Sequence, residues 1–321
     1  MKHSLNITLI LVALFLMAQL VGLITINKHI QAVKAATGEI VIEHPDTAIG
    51  ESPKVENKSV SFIYIMIGVL AGTLLLLLLA KFKFGSVWKY WFLLSIILTM
   101  AVSFGVYINF KIAFLLAIAL GLWKIYRPNA YVHNFTELFI YTGVVIVFLP
   151  ILNLTSVFIL LVLISLYDMY AVWKSKHMVK LAEFQAESHI FAGLFLPYSK
   201  NLGKKDVMVD RIKRASANEG AGMTAKDREK LVVRKKMKNA VLGGGDIAFP
   251  LLFSGAVMEY LITAKSIAKP AALGFTGIIS LCAAAALLAL LLKAKEDRFY
   301  PAMPFITAGC FIGFGIIWLL V

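Results

Sequence analysis

Long apolar runs separated by shorter polar segments make up most of the chain. Nine of these runs approach or exceed the roughly 20 residues that a helix needs to cross about 30 Å of hydrocarbon. Their limits are roughly 5–26, 59–80, 87–108, 110–126, 133–152, 154–173, 239–262, 272–292 and 301–321. The first run is longer than the apolar core of a signal peptide, so we interpret it as a span. The pattern predicts an all-α membrane protein with nine transmembrane helices.

Two polar segments are longer than a tight turn. Residues 28–58 carry five acidic side chains without an apolar period, which predicts an external loop. Residues 174–238 carry sixteen Lys and Arg against seven Asp and Glu. Within this basic loop, 190–198 is an apolar stretch too short to span, predicted to be a strand or an interfacial turn, and 215–225 is predicted to be a flexible linker. The predicted regions are therefore 1–173, 174–238 and 239–321.

The composition changes the interpretation of the charge. The chain is 60% hydrophobic and 16% charged, against about 45–50% and about 25% in soluble domains. Both cysteines, Cys282 and Cys310, lie in apolar runs, so no disulfide framework is expected. These features exclude secreted disulfide scaffolds, disordered chains and ordinary cytosolic enzymes. In this lipid setting the net charge of +14 does not indicate a nucleic-acid partner, and the basic loop is expected to attract anionic lipid.

The distribution of basic residues predicts the orientation. Segments on the N-terminal side of the membrane hold 25 of the 32 Lys and Arg, and the other segments hold seven. Without the long loop the counts are 9 and 7, a much weaker preference. By the positive-inside rule the N-terminus is expected inside, the C-terminus outside, and the loop 174–238 in the cytoplasm. An integral protein of the cell membrane is expected.

Four acidic residues lie within the predicted spans, where an ionisable group is expensive. Glu137 and Glu259 lie near helix ends, where a carboxylate is expected to reach headgroup water. Asp168 and Asp246 lie roughly 9–12 Å below the inner boundary of two consecutive antiparallel spans, so they can face each other. Two neighbouring carboxylates cannot both ionise easily, and such a pair would share one proton near neutral pH.

Depth alone leaves three interpretations of this pair open. In an aspartic protease, one carboxylate deprotonates a water while the other protonates the scissile carbonyl. In a proton- or ion-coupled transporter, the pair would serve as a relay, and inverted repeats with broken helices would be expected in both halves. Only one span is interrupted by glycines. The third interpretation is a structural pair, and the basic loop alone would also fit a non-catalytic lipid-binding or scaffold protein.

Glycines and prolines lie beside the two aspartates. Asp246 ends a run of small residues, and the ninth span opens with two prolines; the residues concerned are Leu242, Gly243, Gly244, Gly245, Pro301, Ala302, Met303 and Pro304. Glycines permit another backbone, such as that of a peptide substrate, to approach closely, although in membrane helices they more often serve helix packing. Prolines fix φ and remove donors, which suits an extended wall near the pair.

Three of these motifs together resemble the presenilin and signal peptide peptidase family of intramembrane aspartyl proteases. They are Tyr167-Asp168 in the sixth span, Gly243-Gly244-Gly245-Asp246 in the seventh, and Pro301-Ala302-Met303 ahead of the ninth. The resemblance covers roughly 60–321. Nine spans, a long loop after the sixth and an inside N-terminus are similar to presenilins. The short chain resembles archaeal homologues, so obligate partner subunits are not implied.

The resemblance implies an aspartic endopeptidase that hydrolyses peptide bonds within transmembrane segments, without a metal or other cofactor. Asp168 and Asp246 would be catalytic and Tyr167 would lie beside them. The site would be shaped by Leu242, Gly243, Gly244, Gly245, Pro301, Ala302 and Met303. Met303 replaces the usual Leu, a volume-conserving change. Gly244 occupies a variable position that is often Leu in presenilins, so substrate selectivity does not carry over.

A helical substrate must unwind before it is cleaved, and its freed backbone groups must find partners in lipid. The residues just before Gly243, or the Pro301 segment, are therefore expected to pair with the substrate as an added strand. Signatures of other intramembrane proteases are missing from the sequence, since no His-Glu-x-x-His and no Gly-x-Ser-Gly motif occurs.

Overall fold

The computed structural model describes residues 5–36, 38–53, 55, 57–175, 191–200, 236–294 and 300–321. Over these residues the chain forms nine α-helices. They are α1 (Leu5–His29), α2 (Ser61–Lys81), α3 (Gly85–Gly105), α4 (Phe110–Tyr126), α5 (Ala130–Phe148), α6 (Leu154–Met169), α7 (Gly244–Thr263), α8 (Lys269–Lys293) and α9 (Met303–Leu320). Eight of them are long and apolar enough to cross a membrane, and α4 has 17 residues. The predicted all-α membrane fold is confirmed.

Short irregular turns extend two of the helices. A 3-10 turn at Leu149–Ile151 follows α5, and a π-helical turn at Tyr170–Ser175 follows α6. The predicted start of the seventh span at residue 239 is wrong, because α7 begins at Gly244. Three consecutive glycines are poor helix formers, and the residues before them form a strand instead.

Four strands form two small antiparallel sheets. In the predicted external loop, β1 (Gln31–Lys34) pairs with β2 (Ile40–Glu43), so this segment is partly ordered as a hairpin. In the basic region, β3 (Gly193–Lys200) pairs with β4 (Lys236–Gly243). The apolar stretch 190–198 therefore contains part of a strand, whereas the predicted linker 215–225 lies outside the described residues.

The main hydrophobic core is formed mostly by α1 and by the five consecutive helices from α5 through α9. A smaller core lies between α3 and α4. Small residues allow α8 and α9 to approach closely: a Cβ on Gly309 would lie 2.7 Å from the Cys282 backbone, and one on Gly313 would lie 2.7 Å from that of Ile279. Backbones that approach this closely pack without intervening side chains, which is a common basis of helix association in lipid. By contrast, α2 buries only Ser61 and Ile65.

A histidine lies at the contact between the first hairpin and the bundle. His44 follows β2, and its Nε2 lies 3.2 Å from Glu259 Oε1 on α7 without the geometry of a hydrogen bond. Its ring centroid is 6.4 Å from that of His29. Burial lowers the pKa of His44 to about 4, and the charges of Lys58 and His29 act in the same direction. The imidazole is therefore neutral at pH 7 in the folded protein.

Candidate active site

Asp168 lies in the last turn of α6 and contacts the beginning of α9. Its Oδ2 accepts a hydrogen bond of 3.1 Å from the backbone N–H of Met303, and the Ala302 N–H also donates to this carboxylate. The first N–H groups of a helix have no partner within the helix, and they favour a negative charge nearby. The Pro301-Ala302-Met303 motif thus supplies the donors that hold Asp168.

A second hydrogen bond fixes α6 against α9 one turn deeper in the bundle. Ser165 Oγ donates to Thr307 Oγ1 at 2.8 Å, and both side chains are buried. Ser165 precedes Asp168 by three residues and Thr307 follows Met303 by four, so the two contacts lie on the same faces of the helices. The sequence gives no signal for this pair, since Ser and Thr are common in membrane helices.

Asp246 is the third residue of α7, whose N-cap is Gly243. The backbone N–H of Gly243 donates to the Asp246 carboxylate, an arrangement like the return bond of a capping box. A Cβ on Gly243 would lie 3.3 Å from Asp246 Oδ2, so a glycine here leaves room for the carboxylate. The helices α6 and α7 pack against each other, and Asp246 lies close enough to Asp168 for the two carboxyl groups to interact electrostatically.

The remaining predicted site residues differ in their environment. Tyr167 extends to α2, where its hydroxyl donates to Thr73 Oγ1 at 3.1 Å. Leu242 is buried in β4 opposite Leu194. Gly245 is exposed, and a Cβ there would meet only Phe249 within 4 Å, at 3.5 Å. Pro301 and Met303 are buried, and Ala302 is partly buried.

Two polar residues of α5 hold the strand next to the site. The Nε2–H group of His133 donates a hydrogen bond of 2.7 Å to the carbonyl oxygen of Gly193. Asn134 donates to the Phe195 carbonyl at 2.7 Å and accepts from the Phe195 N–H at 2.9 Å. Gly193 in turn pairs with Gly243. No sequence motif indicated these contacts, which join residues about 60 positions apart.

The expectation that Glu137 reaches headgroup water is wrong. Its side chain is 1% exposed and accepts hydrogen bonds from Lys124 Nζ on α4 and from the Tyr141 hydroxyl one turn later. His133 Nε2 lies 3.6 Å away. A pair formed by an acid and a base on neighbouring helices satisfies both charges inside the bundle, so neither has to reach water.

The chemical inventory of the site is simple. It contains two carboxyl groups, the backbone donors at the start of α7 and α9, and the exposed backbone of Gly245. Within the described ranges, no group of three His, Cys, Asp or Glu residues is arranged to hold a metal ion. Proton transfer between paired carboxyl groups and a bound water or carbonyl is the chemistry that these residues support.

A family model and two solved structures point to the same protein family. The family model described as "Signal-peptide peptidase, presenilin aspartyl protease" matches residues 12–321. Two solved structures of a presenilin family intramembrane aspartate protease are similar in fold. The C222 crystal form has 16% identity and a TM-score of 0.57, covering 98% of this chain and 99% of that chain. The P2 form has 17% identity and a TM-score of 0.56, covering 99% and 98%. Among curated proteins, none matches the sequence.

Proposed function

Because the chain belongs to the signal-peptide peptidase and presenilin family of intramembrane aspartyl proteases, we propose that Asp168 and Asp246 are its catalytic pair. One arrangement supports this proposal: Asp168 in the last turn of α6 and Asp246 in the first turn of α7 lie on helices that pack against each other, close enough for the two carboxyl groups to interact electrostatically. Both also accept backbone hydrogen bonds at the start of a helix. Paired carboxyl groups that share a proton are suited to peptide hydrolysis.

The reaction uses the pair as a general base and a general acid. The ionised carboxylate takes a proton from a water, and the water oxygen attacks the carbonyl carbon of the scissile bond. The protonated carboxyl gives its proton to the carbonyl oxygen, which yields a tetrahedral diol. When the carbon–nitrogen bond breaks, a proton passes to the departing amine and the other product is a carboxylic acid.

Substrates of this family are transmembrane segments, and they must be unwound at the site. We propose that the segment leading into Gly243 holds the unwound chain as an added strand. In support, β4 is already extended up to Gly243, directly before the helix that carries Asp246. The exposed backbone of Gly245 leaves space next to the pair.

We further propose that the site lies at the cytoplasmic end of the bundle in the cell membrane, with loop 174–238 in the cytoplasm, the N-terminus inside and the C-terminus outside. The excess of basic residues in the loop supports this orientation. A cysteine introduced at Gly38, in the turn between β1 and β2, is expected to react with an impermeant reagent added outside intact cells. Labelling only after permeabilisation would contradict the orientation.

Purified protein in detergent provides the test of function. Wild type is expected to cleave a labelled transmembrane peptide without partner subunits or nucleic acid, and transition-state mimics of aspartic proteases should block it. Asp168→Asn and Asp246→Asn are each expected to abolish cleavage and leave the protein folded. Glu259→Gln, which removes another acid at the far end of α7, is the matched control and should retain cleavage. Activity in either Asp variant would overturn the proposal.

A further inference from the structure

A buried charged cluster lies beside the glycine turn that leads into Asp246 at the start of α7. The proposed chemistry does not use this cluster. Lys124 is 6% exposed, Glu137 1% and Tyr141 6%. Lys124 donates to one oxygen of Glu137, and the Tyr141 hydroxyl donates to the other. Burying two charges is costly even when they are paired. The cluster holds the Tyr141 hydroxyl in one position, since its acceptor is itself fixed from α4.

The ring of Tyr141 lies directly against the glycine turn. A Cβ on Gly244 would lie 2.7 Å from both Cε1 and the hydroxyl oxygen of Tyr141, closer than real Cβ contacts come. The ring cannot swing aside without breaking its bond to the buried Glu137 carboxylate. At Gly245, by contrast, a Cβ would make an ordinary contact of 3.5 Å. Only the first of these adjacent glycines is therefore required by its surroundings.

Gly244 is the variable position of the Gly-x-Gly-Asp motif and immediately precedes Gly245 and Asp246. The Tyr141 hydroxyl is also close enough to Asp246 for the two groups to interact electrostatically. The position that lacks a side chain in the motif is thus filled by a ring from α5. Whatever fixes this ring also fixes the backbone that carries Asp246.

We propose that Tyr141 and Gly244 form a matched pair, in which Tyr141, held by Glu137 and Lys124, takes the place of a side chain at the variable motif position and positions the turn that carries Asp246. This inference rests on the proposed function. Tyr141 acts through Gly244 rather than on the substrate, so it is a positioning residue. Its loss should lower kcat more than it raises KM, because an error of about 1 Å in a catalytic group can cost about 100-fold in rate.

Substituting Gly244 and Tyr141 separately and together tests whether they form a matched pair. Gly244→Leu is expected to lower kcat at least 10-fold, and adding Tyr141→Ala to it should restore at least 5-fold, because the leucine then occupies the vacated space. Tyr141→Ala alone should also lower kcat with a smaller change in KM. No recovery in the double variant, or wild-type kcat for Gly244→Leu, would overturn the inference. If wild type itself does not cleave the peptide, the proposed function fails, and the stability test below still decides the pairing.

Thermal unfolding in detergent tests the same pair without any cleavage. Gly→Ala in the first turn of a helix should stabilise by a similar amount at neighbouring positions, so Gly245→Ala is the matched control for Gly244→Ala. We expect Gly244→Ala to unfold at a lower temperature than Gly245→Ala, and the difference to disappear in the Tyr141→Ala background. Equal unfolding temperatures in the wild-type background would contradict a steric match between Tyr141 and Gly244.

Discussion

Replacing Lys124 by Met should be among the most destabilising substitutions in α4. Methionine has a similar length and apolar stem, so the main change is the loss of the ammonium group that pairs with Glu137. The Glu137 carboxylate would remain 1% exposed, with the Tyr141 hydroxyl as its remaining hydrogen-bond donor and His133 Nε2 3.6 Å away. Removing one partner of a buried ion pair typically costs about 3–5 kcal/mol, which is roughly a 10²- to 10⁴-fold change in the unfolding equilibrium.

The double variant Lys124→Met/Glu137→Gln distinguishes two causes of lost stability. One is the unpaired charge of the buried Glu137 carboxylate, and the other is the loss of the Lys124 side chain itself. The amide oxygen of Gln can still accept from Tyr141, and no charge remains buried. We expect most of the lost stability to return, and the coupling in a double-mutant cycle to be about 2 kcal/mol or more. The measurement is unfolding in mixed micelles, followed by intrinsic fluorescence. Lys81→Met, at an exposed position at the end of α2, is the control and should change stability by less than about 0.5 kcal/mol.

Two results would contradict a buried charge at Glu137. If Lys124→Met is no more destabilising than Lys81→Met, the Glu137 carboxylate is not held in a site from which water is excluded. If the double variant is less stable than Lys124→Met alone, the unpaired charge of Glu137 is not the reason why Lys124→Met loses stability. Either result would also weaken the argument that Glu137 fixes Tyr141.

Three further predictions concern the rest of the bundle. The pKa of His44 falls from 6.5 to about 4 on folding. Its contribution to the free energy of unfolding, up to about 3 kcal/mol, is therefore complete above pH 6.5 and is lost as the pH falls towards 4. The unfolding temperature should vary less with pH in His44→Gln than in wild type, and equal slopes would contradict this. Gly309→Leu should separate α8 from α9 and lower the unfolding temperature, whereas Gly315→Leu, where no atom lies within 4 Å of a Cβ, should not. Asn134→Ala removes both hydrogen bonds to Phe195, so amide exchange in β3 should accelerate, and unchanged protection would show that other contacts hold the strand.

The apolar pattern was sufficient to predict the nine helices, because a span in lipid must be long and apolar whatever its neighbours are. The same rule made the acidic residues conspicuous, and their matched depth predicted that Asp168 and Asp246 can face each other. The helix bounds were less predictable. The seventh apolar run begins at residue 239, but α7 begins at Gly244, because hydropathy does not distinguish an apolar strand from the first turn of a helix.

The environment of Glu137 shows the limit of single-residue reasoning. Its position near a helix end suggested contact with headgroup water, because a position in the sequence does not show which side chain a neighbouring helix presents to it. Lys124 lies 13 residues earlier on α4, and its orientation towards Glu137 depends on how α4 packs against α5. Likewise, the fit of Tyr141 against Gly244 joins residues 103 positions apart. Such contacts depend on tertiary packing, which apolar periodicity does not specify.

The motif residues around the pair share one physical requirement. A carboxylate inside a membrane protein needs donors, and the first turns of α7 and α9 supply backbone N–H groups without partners within the helix. Pro304 has no N–H, and the donors that remain at the start of α9, on Ala302 and Met303, serve Asp168. A relay pair in a transporter would need the same donors, so these contacts alone do not select proteolysis. The exposed backbone at Gly245 fits a peptide substrate better than a proton, and together with family membership it favours hydrolysis of an unwound chain as the purpose of the pair.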